Sequence, residues 1–333
     1  MTASATRPDE HLNHPWRQAV AREEIRELLE MRDLRTWGSI GINWGIIAAS
    51  LAAVAAWPNP LTVLAAVFLI GARQLGLAVL MHEASHRSLL SDRRLNDVVG
   101  NWLCAYPIWS DLFPYRPYHL QHHARTGSPE DPDIGLVRPF PITRRSLARK
   151  AWRDLSGQTG WKFARAAWRR SVAAYSSDPG ARKATHGFVI TNALLLGLLA
   201  LLGHPALYLV WVVSWFTTYT FVTRIRSIAE HALTPRADDP LGNTRTTIAR
   251  WWERLLVAPN RVNYHLEHHL LMTVPHYHLP RMHRLLSERG ILDDACVATG
   301  YLGILRNACS RTTEGDSPGD DTPPEELSRV NGL

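Results

Sequence analysis

Four long, predominantly apolar segments restrict the fold of this chain more than any other feature of its sequence. Residues 38–57 contain no charged side chain, and residues 61–81 contain only Arg73. Residues 188–202 and 207–223 repeat this arrangement, and a short turn with proline joins the members of each pair. A helix of about 20 residues, rising about 1.5 Å per residue, crosses the hydrocarbon core of a bilayer. The sequence therefore predicts an all-α integral membrane protein whose four transmembrane helices form two hairpins.

The positive charges indicate how the hairpins are oriented. Both turns inside the hairpins lack Lys and Arg, whereas residues 1–37, residues 87–183 and the region after residue 224 are rich in Arg. Basic loops of membrane proteins stay on the cytoplasmic side. We therefore expect both termini on that side, together with a helical cap formed by the long loop and the region after the fourth crossing.

Composition divides the chain into three predicted parts. Residues 1–37 form a cytoplasmic amphipathic segment, residues 38–310 form the membrane domain, and the Pro-, Gly- and Asp-rich residues 311–333 form a disordered tail. The net charge of +7 could suit nucleic acid, but the basic residues lie between apolar segments and not on one soluble module. Membrane lipids are therefore the expected surroundings, and nucleic acid is not an expected partner.

Three clusters among the sixteen histidines carry the chemistry of the sequence. His82 and His86 stand four residues apart, directly after an apolar segment, so they share one face of a helix. HLQHH and HLEHH repeat an i, i+3, i+4 spacing, which gives the remaining members: His119, His122, His123, His265, His268 and His269. Neutral imidazole is a ligand for iron, zinc or copper, and eight imidazoles are enough for two metal ions.

Two other functions remain open on the histidines alone. The first cluster, HEASH, is literally HExxH, the zinc-protease motif in which Glu83 would act as general base. Such a site needs only one further ligand and leaves the two HxxHH clusters without a purpose. A metal transporter is the non-enzymatic alternative, but transporters usually place ligands near the bilayer midplane, and these clusters lie beyond the apolar segments.

With its neighbours, the histidine pattern resembles the membrane fatty-acid desaturase superfamily. The flanks that carry this resemblance beyond the three boxes are YRPYH at residues 115–119, DPD at residues 131–133, NY at residues 263–264 and VPH at residues 274–276. They are similar to those of bacterial acyl desaturases, which implies a bacterial inner membrane. The resemblance further implies a di-iron centre, O₂ as co-substrate and His231 as a ninth ligand.

The resemblance also suggests roles for residues around the iron. Glu83, Glu230 and Glu267 are candidates for orienting imidazoles. Ser227 occupies the position at which some relatives have an asparagine that contacts iron through water. An acyl chain would enter a narrow apolar tunnel, and the candidates for its mouth or for a polar headgroup are Arg73, Gln74, Trp109, Asp111 and Arg116.

The reaction that the resemblance implies is O₂-dependent desaturation of a fatty-acyl chain linked to a lipid, to CoA or to a carrier. Hydroxylation of a lipid, an alkane or a carotenoid uses the same ligands and is the alternative. Neither end of the sequence carries the HPGG segment of a fused cytochrome b5. We therefore expect an external electron donor: a ferredoxin, a rubredoxin or a cytochrome b5.

Overall fold

A computed structural model of the chain describes residues 15–236 and 238–312, which are mostly helical. The α-helices are α1 (Pro15–Gln18), α2 (Arg22–Leu28), α3 (Asp33–Ala56), α4 (Pro60–Ser85), α5 (Arg93–Val99), α6 (Leu112–Arg125), α7 (Ile134–Val137), α8 (Arg144–Leu155), α9 (Gln158–Ala174), α10 (Pro179–Leu201), α11 (Leu207–Ser214), α12 (Thr220–His231), α13 (Trp251–Leu256), α14 (His265–Leu270), α15 (Leu279–Glu288) and α16 (Tyr301–Ala308). Two π-helical segments, Gly100–Ala105 and Trp215–Tyr219, and two 3₁₀ turns, Tyr106–Ile108 and Pro259–Arg261, complete the helical structure. Most of the predicted disordered tail lies outside the described residues.

The expectation of an all-helical fold is wrong in one detail. Two short strands, β1 (Thr246–Ile248) and β2 (Val297–Thr299), pair in parallel, with Thr246 opposite Val297. Each strand has only three residues, so neither gives the alternating pattern by which a strand is recognised in a sequence. The pair joins the chain before α13 to the chain before α16.

Three helices among the described residues are long and apolar enough to cross a membrane: α3, α4 and α10. They correspond to the first three predicted crossings, but α3 begins at Asp33 and α10 at Pro179, earlier than the apolar segments themselves. The fourth predicted crossing corresponds to α11, the second π-helical segment and α12, which follow one another without a break in the chain.

The outer faces of these helices are strongly apolar. On α10, Leu194, Leu198 and Leu201 are 67%, 54% and 88% exposed. Soluble monomers rarely expose contiguous apolar surface on this scale. The apolar helices therefore suggest association with a membrane.

Helix α4 lies at the centre of the protein and leads to the first histidines. The side chain of Asn59 caps its start, accepting hydrogen bonds from the backbone N–H groups of Leu61 and Thr62 at 3.0 and 3.2 Å. Its glycines allow close helix packing, since a Cβ at Gly71 would lie 2.1 Å from Thr218 Oγ1 and one at Gly76 would lie 2.0 Å from Asn43 Oδ1. The second half of α4 is almost entirely buried, including His82 in its last turn.

The N-terminal helices pack against the last histidine cluster. Trp16, Val20 and Leu28 are buried in one apolar cluster with Leu266 of α14 and Leu286 of α15. An ion pair between Arg289 and Glu24, at 2.6 Å, adds to this contact. The predicted N-terminal segment therefore supports α14, in addition to containing the start of the first apolar helix.

Candidate metal centre

Nine histidines converge beyond the end of α4, and they divide into two groups. The ligand nitrogens within each group lie within 4.8 Å of one another. The five-histidine group consists of His82, His86, His119, His123 and His268. The four-histidine group consists of His122, His231, His265 and His269. The structure thus brings together all eight box histidines and His231.

Local helix geometry explains how the second and third boxes each serve both groups, whereas both histidines of the first box belong to the five-histidine group. His119 and His123 are four residues apart on α6 and lie on one face, whereas His122 is turned away from them by its position on the helix. In the same way α14 sends His265 and His269 to the four-histidine group and His268 to the other. His231 is the last residue of α12 and joins the four-histidine group from the side.

The two groups touch each other. The rings of His123 and His269, one from each group, stack with centroids 4.1 Å apart and planes 25° apart. His122 lies with its ring centroid 5.6 Å from that of His119 in the other group. Metal ions in the two groups would be neighbours separated only by imidazoles.

The nitrogens of these rings fit a pair of cations. Those of different imidazoles approach closely, with Nε2 atoms 2.8 Å apart for His265 and His231 and 3.0 Å apart for His123 and His119. His82 Nε2 and both nitrogens of His86 are buried and have no hydrogen-bond partner among the described residues. Buried polar atoms without partners are unfavourable, and lone pairs directed at one another are what a metal ion would satisfy.

The rings are held in the form that binds metal. Burial, with smaller effects from Arg116 and His122, lowers the pKa of His86 to about 3. Burial and the surrounding imidazoles also place the pKa of His119 and of His123 well below the ordinary range. These imidazoles are therefore neutral at physiological pH, and a neutral imidazole offers a lone pair to iron, zinc or copper.

A carboxylate orients one ligand of the four-histidine group. Nδ1 of His122 donates to Asp131 Oδ1 at 2.8 Å, and Asp131 itself accepts from the backbone N–H groups of Gly127 and Asp133 at 2.9 and 2.8 Å. Burial would lower the pKa of His122, but the two carboxylates, Asp131 and Asp133, raise it above the ordinary value. With its proton fixed on Nδ1, His122 presents Nε2 to the group.

The three candidate glutamates are buried and paired. Glu230 accepts from Arg226 at 2.7 Å and lies 3.6 Å from His265 Nε2. Glu267 accepts from His283 Nδ1 at 2.6 Å and from the hydroxyl of Thr246.

Glu83 accepts from the backbone N–H of His276, at 2.7 Å, and from the His276 ring, while Nε2 of His276 lies 2.7 Å from Ser39 Oγ. The Glu83 carboxylate is thus engaged by His276 and not arranged as the general base of a zinc protease.

Sequence reasoning assigned no role to Asp131, His276, His283 or Arg226. Asp131 and His276 lie in the flanking motifs that carried the family resemblance, DPD and VPH. The sequence therefore marked both residues, but it did not indicate which side chains they contact. His283 carried no such signal, because its partner Glu267 lies on another helix, and Arg226 pairs with Glu230 four residues later on α12.

The candidates for a tunnel mouth make contacts of other kinds. Arg116 donates to Asp97 at 2.5 Å and to the carbonyl of Ser85 at 3.0 Å, which ties α6 to the end of α4. Asp111 caps α6 by accepting from the N–H of Phe113 at 3.2 Å. The remaining contacts are those of Arg73 with the carbonyl of Leu255, Gln74 with the carbonyl of Trp211, and Trp109 with the ring of Phe188. None of these five residues lines the cavity beside the metal centre, and their role at a tunnel mouth stays a prediction.

That cavity reaches ligands from both groups. His82 and His119 of the five-histidine group line it, as do His122, His231 and His265 of the four-histidine group. Apolar side chains form one part of its wall: Leu75, Ala78, Met81, Leu136 and Val137. Polar side chains form another part, and Ser227 is among them.

The fold and the site define a helical protein with two adjacent histidine clusters suited to metal, opening on a partly apolar cavity. The profile of the fatty acid desaturase family matches residues 55–298. The chain belongs to the fatty acid desaturase family and is an oxidoreductase. Membership of this family confirms the resemblance seen in the histidine boxes and argues against the protease and transporter alternatives.

Individual relatives share most of this length. Dihydrorhizobitoxine desaturase of Bradyrhizobium elkanii is 29% identical over 290 residues, which cover 80% of this chain and 79% of that protein. The sn-1 oleoyl-lipid 12-desaturase of Synechocystis sp. is 24% identical over 309 residues, covering 86% of each chain. Beta-carotene 4-ketolase 3 of Haematococcus lacustris is 28% identical over 130 residues, covering 38% of this chain and 39% of that protein. The similarity supports a reaction of the desaturase or oxygenase type.

Proposed function

We propose that this protein catalyses the O₂-dependent desaturation of a fatty-acyl chain at a di-iron centre held by the nine histidines. The observation that carries the proposal is the convergence of nine imidazoles into two adjacent groups in a member of the desaturase family. The similarity to an oleoyl-lipid desaturase over 86% of both chains supports an acyl chain as substrate. The apolar outer helices would give such a chain access from the bilayer.

When bound, two irons supply the activation of O₂ that side chains do not provide. The residues of the chain do the rest. Asp131 keeps a proton on Nδ1 of His122, and the neutral rings supply lone pairs. Leu75, Met81 and Val137 in the cavity wall would hold a methylene pair beside the centre and exclude water.

The stoichiometry of the reaction requires a separate electron donor. Removal of two hydrogens from the substrate provides two electrons, and reduction of O₂ to two waters needs two more electrons and two protons. A ferredoxin, a rubredoxin or a cytochrome b5 would supply them at the Arg-rich side of the protein. Reduction rates measured with a purified acidic ferredoxin should fall as ionic strength rises, and rates independent of salt would contradict electrostatic docking.

For the topology, we propose four crossings with the metal centre on the cytoplasmic side of a bacterial inner membrane. Residues 207–223 would form the fourth crossing, and they lie in a helical run that continues without a break to His231. The absence of Lys and Arg from both hairpin turns supports this orientation. Cysteine introduced at Gly203 should react with an impermeant maleimide from outside intact cells. Labelling of Gly203→Cys only after lysis would reverse the orientation.

Product analysis tests the reaction directly. The chain should be expressed in a host of known lipid composition, purified for iron analysis, and its lipids examined by mass spectrometry with double-bond mapping. About two irons per chain and products lighter by two hydrogens are the expected result. A product heavier by one oxygen would favour the hydroxylation alternative, and zinc in place of iron would contradict the proposed centre.

A further inference from the structure

The cavity beside the metal centre has polar side chains that an acyl chain alone does not require. Tyr115, Tyr219, Arg226 and Ser227 line it together with the apolar residues of the opposite wall. A methylene chain makes no hydrogen bonds, so its tunnel is expected to be apolar around the carbon that reacts. The polar wall calls for a different part of the substrate.

Arg226 differs from a second arginine two residues away on the same helix. Arg224 donates through Nε and Nη2 to the two carboxylate oxygens of Asp154, at 2.5 and 2.8 Å. Arg226 donates through Nε alone to Glu230, at 2.7 Å, and its terminal nitrogens make no hydrogen bond to another described residue. The guanidinium of Arg226 therefore lines the cavity with its two terminal nitrogens available for a bidentate hydrogen bond. The guanidinium of Arg224 instead forms a bidentate pair with Asp154 outside the cavity.

Two tyrosines add further uncommitted groups to this wall. Tyr115 and Tyr219 are only 7% and 2% exposed, and neither hydroxyl makes a hydrogen bond to another described residue. Buried tyrosine hydroxyls usually have a partner. The acidic groups of the cavity are already paired, since Glu230 accepts from Arg226 and Asp133 accepts from the hydroxyl of Tyr118. The polar wall therefore offers donors and leaves few free acceptors.

We propose that Arg226 and Tyr115 bind a carboxylate or carbonyl oxygen of the substrate inside the cavity. Arg226 is close to the metal ligands, because Glu230 lies 2.7 Å from Arg226 Nε and 3.6 Å from His265 Nε2. A substrate anchored there presents to the metals C–H bonds that are only a few bonds from its polar end. The predicted position of the reacting C–H bonds rests on the proposed function. The predicted binding of the oxygen by Arg226 and Tyr115 does not depend on it.

Ligand binding to the iron-loaded protein in nanodiscs tests the site without turnover. The probes are octanoate, ethyl octanoate and octan-1-ol, titrated calorimetrically. Octan-1-ol lacks the carbonyl and should bind more weakly than the other two. Arg226→Gln should weaken binding of octanoate by about tenfold to a hundredfold, as expected for a charge-assisted hydrogen bond. Arg226→Lys should retain part of the affinity, and Arg224→Gln, the matched control, should bind as the wild type does.

The probes also separate two sources of the same chemistry. Octanoate binding that depends on Arg226, without comparable binding of the ester, indicates a free carboxylic acid as substrate. Equal dependence for both probes indicates the carbonyl of an ester- or thioester-linked acyl chain. Either result supports the site.

A second variant keeps the test valid if the loss of Arg226 disturbs the metal centre. Tyr115→Phe leaves the Arg226–Glu230 pair in place and should weaken octanoate binding by about threefold to tenfold, with unchanged iron content. Wild-type affinity for octanoate and the ester in both Arg226→Gln and Tyr115→Phe would overturn the proposal. So would the absence of detectable binding of both octanoate and the ester to the wild type, or wild-type affinity in Tyr115→Phe when Arg226→Gln has lost its iron.

The position of the double bond provides a second readout. With active protein, desaturation should occur close to the carbonyl end of the acyl chain. A double bond far from the carbonyl would overturn this inference while leaving the desaturase function intact. Binding that depends on Arg226 without any desaturation would support the binding site and contradict the proposed desaturase function.

Discussion

The five-histidine group and the four-histidine group fix their imidazoles in different ways. In the four-histidine group, His122 is held by Asp131 at 2.8 Å, and His269 Nδ1 lies 3.3 Å from the hydroxyl of Thr126. Among the described residues, the rings of the five-histidine group have no carboxylate partner, and their close polar contacts are between their own Nε2 atoms. Its His82 and His86 are instead placed by α4, the most deeply buried of the long helices.

The two groups therefore illustrate two ways of holding an imidazole in place: a hydrogen bond to a neighbouring side chain, and the packing of the helix that carries the imidazole. Hydrogen bonds from outer carboxylates fix the proton and the orientation of a ligand, and they can be removed one at a time. Helix packing fixes the position of a ligand through many contacts, none of which dominates. The four-histidine group should therefore respond to single polar substitutions, whereas the five-histidine group should respond mainly to loss of a ligand.

Loss of a ligand should have the largest effect and should affect both groups. His268→Ala and His122→Ala remove one imidazole from the five-histidine and the four-histidine group, and we expect each to abolish turnover. Iron content and membrane insertion should be measured together, because the protein should remain inserted. His204→Ala, an exposed histidine in the turn before α11, is the matched control. Full activity in either ligand variant would contradict the assignment of that ligand.

Asp131→Asn should affect the four-histidine group alone. Without the carboxylate, His122 loses its orienting partner, and the affinity of that group for metal should fall by about tenfold to a hundredfold. Titration with Fe²⁺ against a competing chelator should then resolve one weakened and one unchanged site. Asp92→Asn, which conserves an N-cap at the start of α5, should leave both sites unchanged. Equal weakening of the two sites would remove the distinction between the groups.

Removal of metal should lower thermal stability without unfolding the helices. Metal binding stabilises the folded state according to its concentration relative to the dissociation constant, by about 3 kcal/mol at a hundredfold excess. The apolar packing around α4 does not depend on metal, so the helical circular dichroism should persist after chelation. The melting temperature should fall by several degrees and recover with Fe²⁺, and an unchanged melting temperature would argue against a shared cation site.

The smallest effect expected is that of Thr126→Val. This change removes the hydroxyl near His269 at nearly constant volume, and a neutral hydrogen bond contributes about 1 kcal/mol. Iron affinity of the four-histidine group should decrease by no more than about tenfold. Thr185→Val, on α10, removes a comparable hydroxyl that bonds to a backbone carbonyl and should have no effect on metal affinity.

The convergence of the candidate histidines could be predicted in part from the sequence, because their spacing reflects helix geometry. His119 and His123, or His265 and His269, must share a helix face wherever the helix lies. The assignment of His122 and His268 to particular groups could not be predicted, because it depends on how α6 and α14 face each other. Asp131 and His283 follow the second and third boxes at 9 and 16 residues from their partners, and the turns that bring them back to those partners give no periodic signal in the sequence.

The apolar segments gave the positions of the long helices but not their lengths. Hydropathy locates α3 and α10, but polar first turns place their starts at Asp33 and Pro179. The fourth apolar segment leads without a break into Arg224 and on to His231, because the helix continues after its residues cease to be apolar. The polar wall of the cavity could not be predicted from the sequence, because Tyr115 on α6 and Arg226 on α12 meet only in the folded structure.

If α4 crosses the membrane as proposed, it would link the bilayer to the candidate metal centre at its C-terminal end. The apolar length of a transmembrane helix is matched to a bilayer of a given thickness, and in a thinner bilayer the helix tilts to keep its apolar surface covered. Because α4 is one continuous α-helix from Pro60 to Ser85, such a tilt would displace His82 relative to the candidate ligands on α6 and α14. The second π-helical segment, by contrast, gives the chain before α12 a point of adjustment. Acyl-chain length in the host membrane would then act on the candidate metal centre through one helix.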